Sequence, residues 1–223
     1  MKLFIVDGID NSGKSRAVQS VKECGMRGVD FSAFPSKSLS ESKVFMEVAT
    51  NPTQENKAAW LHALINEERE VIRSSQAHAM LIDRMWFSTL IYQGDGCGDF
   101  LSEIKINHTY ERLMKDLNIL PTDVYHFLFR YPLSYNTDKE TNVAKKVFDK
   151  KRDVLFQKQE ALIHKLSGLY PPLKSEYLDQ LMIFDEPELK EAFDKRVRLS
   201  SSKIDHIQML RANVIESYLE SVI

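Results

Sequence analysis

The chain has 223 residues, 43% of them apolar and 10% aromatic, with 30 basic against 32 acidic side chains and a pI near 6.3. That length suits one full domain with its own core, while the aromatic content and only 8 Gly and 7 Pro exclude disordered and fibrous classes. The near-neutral charge argues against a protein that coats nucleic acid, although a local basic groove stays open.

Two cysteines, Cys24 and Cys97, make neither a disulfide framework nor a zinc site and fit a reduced compartment. No apolar run approaches the roughly 20 residues of a membrane span. The opening stretch Met1 to Val6 reaches Asp7 too soon for a signal peptide. A soluble, cytoplasmic protein without a membrane partner is expected, in the host cytoplasm if its source is viral.

Leu3-Phe4-Ile5-Val6 is a short apolar run closed by Asp7-Gly8, the pattern of a buried parallel strand. A glycine-containing loop follows, then a helix from about Lys14 to Cys24, stopped near Gly25 and Gly28. Asp30 to Phe34 reads as a second strand ending at Pro35, and Ser40–Ala49 and Asn56–Ser75 read as helices. In the latter, Trp60, Leu61, Leu64, Ile65, Val71 and Ile72 supply an apolar stripe, with Glu67, Glu68, Arg69 and Glu70 on the wet face.

Ala79 to Ile82 is a further strand, ending abruptly in Asp83-Arg84. A helix resumes around Phe87 to Tyr92 and breaks at Gly94, Gly96 and Gly98. Val124 to Phe129 is the next strand, entered through Pro121 and closed by Pro132, and Asn142 to Leu166 reads as one or two polar helices. Leu181 to Asp185 is the last strand, and Ile204 to Val222 a closing helix. Strands alternating with helices predict βαβ units around a mostly parallel sheet in a single domain. The stripe Ile207, Leu210, Val214, Ile215 and Leu219 reads as helix packing on the sheet or as a dimer face.

Gly8-Ile9-Asp10-Asn11-Ser12-Gly13-Lys14-Ser15 fits G-x-x-x-x-G-K-[ST] at every fixed position, after a strand and before a helix. Glycines let backbone N–H groups curl around phosphate oxygens, and the following helix turns its positive end toward them. Gly8, Asn11, Ser12, Gly13, Lys14, Ser15 and Arg16 are therefore the nucleotide-binding candidates, with Lys14 on the β/γ-phosphates and the Ser15 hydroxyl on Mg2+; the loop alone does not say which reaction follows. Asp83 and Arg84 stand at a strand's carboxyl end, where ligands gather in a doubly wound sheet. The acid there can orient magnesium, and the arginine can neutralise a moving phosphoryl group.

Asp83-Arg84-Met85-Trp86-Phe87-Ser88-Thr89-Leu90-Ile91-Tyr92-Gln93-Gly94 resembles the D-R-[YH]-x-x-S-x-x-A-[YF]-Q-G stretch of thymidylate kinases. The phosphate loop with its acid at Asp10, Phe34-Pro35 opening a second loop, and Pro121-Thr122-Asp123 before a strand are similar to the same family. The resemblance covers roughly residues 1 to 166 and implies a P-loop kinase: a three-layer α/β/α domain spanning 1–223, with a mostly parallel central sheet and a helical lid at about 136–155. It implies transfer of the γ-phosphoryl of ATP to a pyrimidine deoxynucleotide. Asp10, Lys14, Asp83, Arg84 and the lid's Arg152 would act on the transferring group, and Asp83 with Ser15 would serve the metal. Phe34, Lys37, Trp60, Asn66, Arg69, Ser88, Tyr92 and Gln93 would line the acceptor side, and a homodimer is a further implication.

Three departures bear on the acceptor. Lys37 is the nearest basic group to the second loop, where the family carries an arginine, and lysine lacks the bidentate fork. Aligned on Asn66, the family's F-x-x-N-R becomes Ala63 at the stacking position and Glu67 at the phosphate-gripping arginine. Met85 stands where an aromatic usually follows Asp-Arg. The ATP half is kept and the acceptor half altered, which brings in a second reading: a kinase for the hydroxyl of a 5-hydroxymethyl pyrimidine, in a nucleotide or in DNA. A reading from another class is an NTPase switch without an acceptor, for which the sequence offers no N-K-x-D-like guanine reader. Lys145, Lys146, Lys150 and Lys151 read as lid basics or as a solvated helix face; the six histidines are scattered without ligand spacing.

Overall fold

The computed structural model of the chain describes residues 1–8, 12–86, 109, 112–133, 181–195, 197 and 199–223. The elements are β1 (Lys2–Gly8), α1 (Lys14–Glu23), β2 (Val29–Ala33), α2 (Lys37–Ser40), α3 (Lys43–Thr50), α4 (Gln54–Ser74), β3 (Ala79–Asp83), β4 (Val124–Phe129), β5 (Leu181–Phe184), α5 (Pro187–Lys195) and α6 (Ser201–Glu220). All described strands are parallel, in the order β2-β3-β1-β4-β5. The expected mostly parallel sheet with helices on both faces is therefore found.

β1 occupies the middle of this order, which explains its unbroken apolar run. Leu3 and Ile5 join a core with Leu61, Leu64, Ile65 and Ile72 of α4. Phe4 and Val6 point the other way, into a core with Ala17, Val18 and Val21 of α1 and Ala212, Ile215 and Leu219 of α6. A strand covered on both faces has no polar side to display, so the period-2 pattern disappears from its sequence. Register then sets the site: β1 places Val6 opposite Asp83 of β3 and Gly8 opposite Phe129 of β4. The carboxyl ends of β3 and β4 therefore flank the start of the phosphate loop.

Several boundaries differ from the sequence expectation for local reasons. The helix expected over Ser40–Ala49 is two helices, because the Ser42 side chain accepts a hydrogen bond from the Phe45 N–H and starts α3 afresh. The closing helix begins at Ser201 rather than Ile204, capped by Ser200, which accepts from the Lys203 N–H. α5 was not expected, although Pro187 at its first position and Glu188 behind it are start signals. Glu68, expected on the wet face of α4, is fully buried. On α6, Leu210 is 48% exposed, whereas Gln208 and Arg211 are buried. The helices expected from Phe87 to Tyr92 and from Asn142 to Leu166, the lid at 136–155, and Cys97 lie outside the described residues.

Candidate active site

The phosphate loop leaves β1 at Gly8, with φ at 149°, and enters α1 at Gly13, with φ at 89°. Both positions exclude a side chain. A Cβ on Gly8 would stand 2.4 Å from the Phe129 carbonyl oxygen, and one on Gly13 would stand 2.4 Å from both Gln208 Nε2 and Leu133 Cδ1. α3, α4 and α6 are capped by the side chains of Ser42, Thr53 and Ser200, but α1 has Gly13 at its cap and no side-chain acceptor there. Gly13 therefore offers no side-chain acceptor to the first N–H groups of α1, at the end of the helix that favours negative charge.

Lys14 is 3% exposed, and its ammonium donates to the Gly8 carbonyl at 2.7 Å and to Ser12 Oγ at 3.3 Å. The lysine therefore spans the loop from its last residues back to its first. Ser15 is exposed at the start of α1. Arg16 is turned away, pairing with Asp205 of α6 at 2.8 Å. Asp10 and Asn11 lie outside the described residues.

Asp83 ends β3 with 6% exposure, and its Oδ1 is buried without a hydrogen-bond partner among the described residues. Alternation puts its side chain on the face that carries Ala79 and Leu81, which is the face covered by α1. An orphaned carboxylate oxygen on the α1 side, together with an exposed Ser15 hydroxyl, fits a hard cation such as Mg2+. No group of three His, Cys, Asp or Glu among the described residues is arranged to hold a metal. Such an ion would accordingly draw its remaining ligands from phosphate and water. Arg84 follows in the left-handed region, with φ at 72° and its N–H donating to the Val6 carbonyl at 3.0 Å. For a long side chain this backbone is strained, by roughly 1–3 kcal/mol, as residues at functional sites often are.

The opposite face of the sheet carries a pair of buried carboxylates. Asp7 precedes the loop, is fully buried and shares the face of Leu3 and Ile5 that α4 covers. Glu68 of α4 is also fully buried, and burial, then the negative charge of Asp7, hold its carboxyl well above the usual range; the Trp86 backbone N–H opposes the rise. Met85 and Trp86, after Asp83-Arg84, are core residues.

On the expected acceptor side, Phe34 is buried in the core and Lys37 is exposed, 3.9 Å from Glu41. Trp60 is 4% exposed and packs at 5.3 Å on Phe45, so its ring is already covered by protein. Arg69 donates to Asn66 at 3.2 Å and pairs with Asp116 at 3.4 Å, which ties both candidates to one another. Glu67 accepts from the Ser36 N–H at 3.1 Å and from the Ser36 hydroxyl, binding α4 to the second loop. Ser88, Tyr92, Gln93, Arg152 and the lid basics lie outside the described residues. Sequence reading missed Arg211, Glu186 and Glu68. For Glu68 and Arg211 the available signal is a charged residue three or four positions from apolar ones on a helix, which looks the same when the residue faces water; Glu186, before α5, carries no such signal.

No family model matches the sequence, and no curated protein matches it. Solved structures do. A thymidylate kinase from Ehrlichia chaffeensis is 14% identical at a TM-score of 0.51, covering 96% of this chain and 98% of its own. A thymidylate kinase from Candida albicans is 14% identical at a TM-score of 0.50, covering 97% of this chain and 92% of its own. At such identity the likeness establishes the fold alone: this chain has the P-loop kinase fold of these enzymes.

Proposed function

We propose that this chain is an ATP-dependent phosphotransferase that moves the γ-phosphoryl of ATP to a pyrimidine deoxynucleotide. The observation that carries it is the uncapped start of α1 behind left-handed Gly13, with Lys14 held across the loop. In this reading the N–H groups of α1 bind the phosphates and Lys14 exchanges the Gly8 carbonyl for their oxygens. Arg84 neutralises charge on the moving group, and Asp83 with Ser15 would hold Mg2+, which would neutralise phosphate charge. Phosphoryl transfer needs little covalent chemistry beyond such positioning. Asp10 and Arg152 belong to the same proposal as acceptor and lid contacts, as do Ser88, Tyr92 and Gln93 near the pyrimidine, a cytoplasmic location and a homodimer.

The Glu67–Ser36 contact favours a second reading of the acceptor. A carboxylate held at the second loop repels an acceptor phosphate, whereas an alcohol on a 5-hydroxymethyl pyrimidine, in a nucleotide or in DNA, needs no cation there. Phosphorylation of dTMP, 5-hydroxymethyl-dUMP and hydroxymethyluracil-containing DNA, compared with labelled ATP, decides between them. Turnover of dTMP alone sinks the alcohol reading. ADP release at the full rate without any acceptor sinks both and leaves a nucleotide switch.

A further inference from the structure

Arg211 lies within α6 and is 1% exposed. Its Nε and Nη2 donate to the two carboxylate oxygens of Glu186 at 2.6 and 2.8 Å. Its Nη1 donates to the Ser12 carbonyl inside the phosphate loop. The guanidinium lies over the Phe129 ring, 4.2 Å from its centroid, and Phe129 is the register partner of Gly8. A buried guanidinium is costly unless its donors are used and its charge is paired; here Glu186, just after β5, supplies the bidentate partner that fixes the fork. One turn earlier on α6, Gln208 closes on Gly13.

The peptide geometry gives this contact a direction. In a trans peptide the carbonyl and the following N–H point in opposite directions. A Ser12 carbonyl held against α6 therefore turns the Gly13 N–H away from α6, as a donor for an anion. The flipped peptide would instead present carbonyl oxygen to that anion.

We propose that Arg211 is a positioning residue that locks the Ser12–Gly13 peptide in its phosphate-accepting orientation, and that Glu186 acts through it. The proposal rests on the nucleotide reading of the loop and assigns part of its phosphate affinity to two residues far along the chain. Lysine at 211 keeps the charge but cannot make the fork and the third bond together.

The test is calorimetric binding of ATP, ADP and adenosine to the wild type, Lys14→Ala, Arg211→Lys, Glu186→Gln and the Arg211→Lys/Glu186→Gln double variant. Arg211→Lys and Glu186→Gln are each expected to weaken ATP and ADP binding by about tenfold, the equivalent of one lost hydrogen bond. Adenosine, which has no phosphate, is expected to bind all variants alike, and the double variant is expected to bind no worse than Arg211→Lys. ATP and ADP affinities unchanged in Arg211→Lys overturn the proposal, as does adenosine binding that falls in the same proportion as ADP binding, the mark of a general structural loss. If Arg211→Lys does not fold, Glu186→Gln decides by the same criteria. A wild type that binds neither ATP nor ADP, or a Lys14→Ala variant that binds both unchanged, overturns the nucleotide reading. Binding lost in Lys14→Ala but kept in Arg211→Lys overturns the positioning role alone.

Discussion

Glu67 accepts both the backbone N–H and the hydroxyl of Ser36, so one carboxylate of α4 holds the loop that follows β2. A phosphate brought to this loop meets that negative charge. Glu67→Gln keeps an acceptor for Ser36 and removes the repulsion. It is expected to raise kcat/KM for dTMP relative to an uncharged alcohol acceptor by about tenfold, or about 1.4 kcal/mol. A ratio that stays put in competition assays removes Glu67 from acceptor choice.

Lys14→Ala is expected to lower kcat by about 10²–10³-fold, the usual effect of deleting one charge-stabilising donor. The Gly8 carbonyl also loses its 2.7 Å partner, a cost of about 1–3 kcal/mol in stability. Thermal melts should show a modestly lowered Tm and no further rise on adding ADP, whereas the wild-type Tm should rise with ADP.

The Glu68 carboxyl is raised well above its ordinary value by burial first and by Asp7 second. The folded state therefore keeps a proton that the unfolded chain releases, so the stability from protonated Glu68 is present at low pH. It is lost as pH climbs from the unfolded value, near 4.3, through the folded one. Every tenfold gain in proton affinity corresponds to about 1.4 kcal/mol. Glu68→Gln should melt higher than the wild type at pH 8, with the gap closing toward pH 4; equal melts at both pH values would falsify the buried-acid assignment.

Two glycines offer an internal comparison. Gly8→Ala drives a Cβ to 2.4 Å from the Phe129 carbonyl, while a Cβ on Gly25 meets nothing within 4 Å although its φ is 68°. Gly25→Ala should cost only the left-handed backbone, about 1–2 kcal/mol. Gly8→Ala should cost at least about 3 kcal/mol, because backbone rather than a flexible side chain must move. Chemical denaturation of the two variants measures the difference.

The sheet was readable wherever local chemistry and tertiary demand agreed. The doubly buried β1 shows as a solid apolar run, and the phosphate loop shows as a glycine pattern because left-handed Gly13 and crowded Gly8 tolerate nothing else. Residues whose environment comes from distant chain were not readable. Glu68 sits among charged neighbours on α4 and looked wet; only the pairing of β1 with β3 brings Asp7 and Trp86 to it. Nothing local to α6 marks Arg211, because its partners come from elsewhere: Phe129 from β4 and Glu186 from the turn between β5 and α5. The Glu67–Ser36 contact was half legible: the odd acid showed in sequence, its partner did not.

The hydrogen bond from Arg211 to the Ser12 carbonyl joins residues 199 apart. On the ribosome, the phosphate loop is therefore synthesised well before the helix that completes it. β1 itself must wait for β3 and then β4 before both its edges are paired. Such non-local closure slows folding, and a nascent chain exposes an unsatisfied loop until α6 emerges. Nucleotide added during translation should find no finished site until that helix has left the exit tunnel.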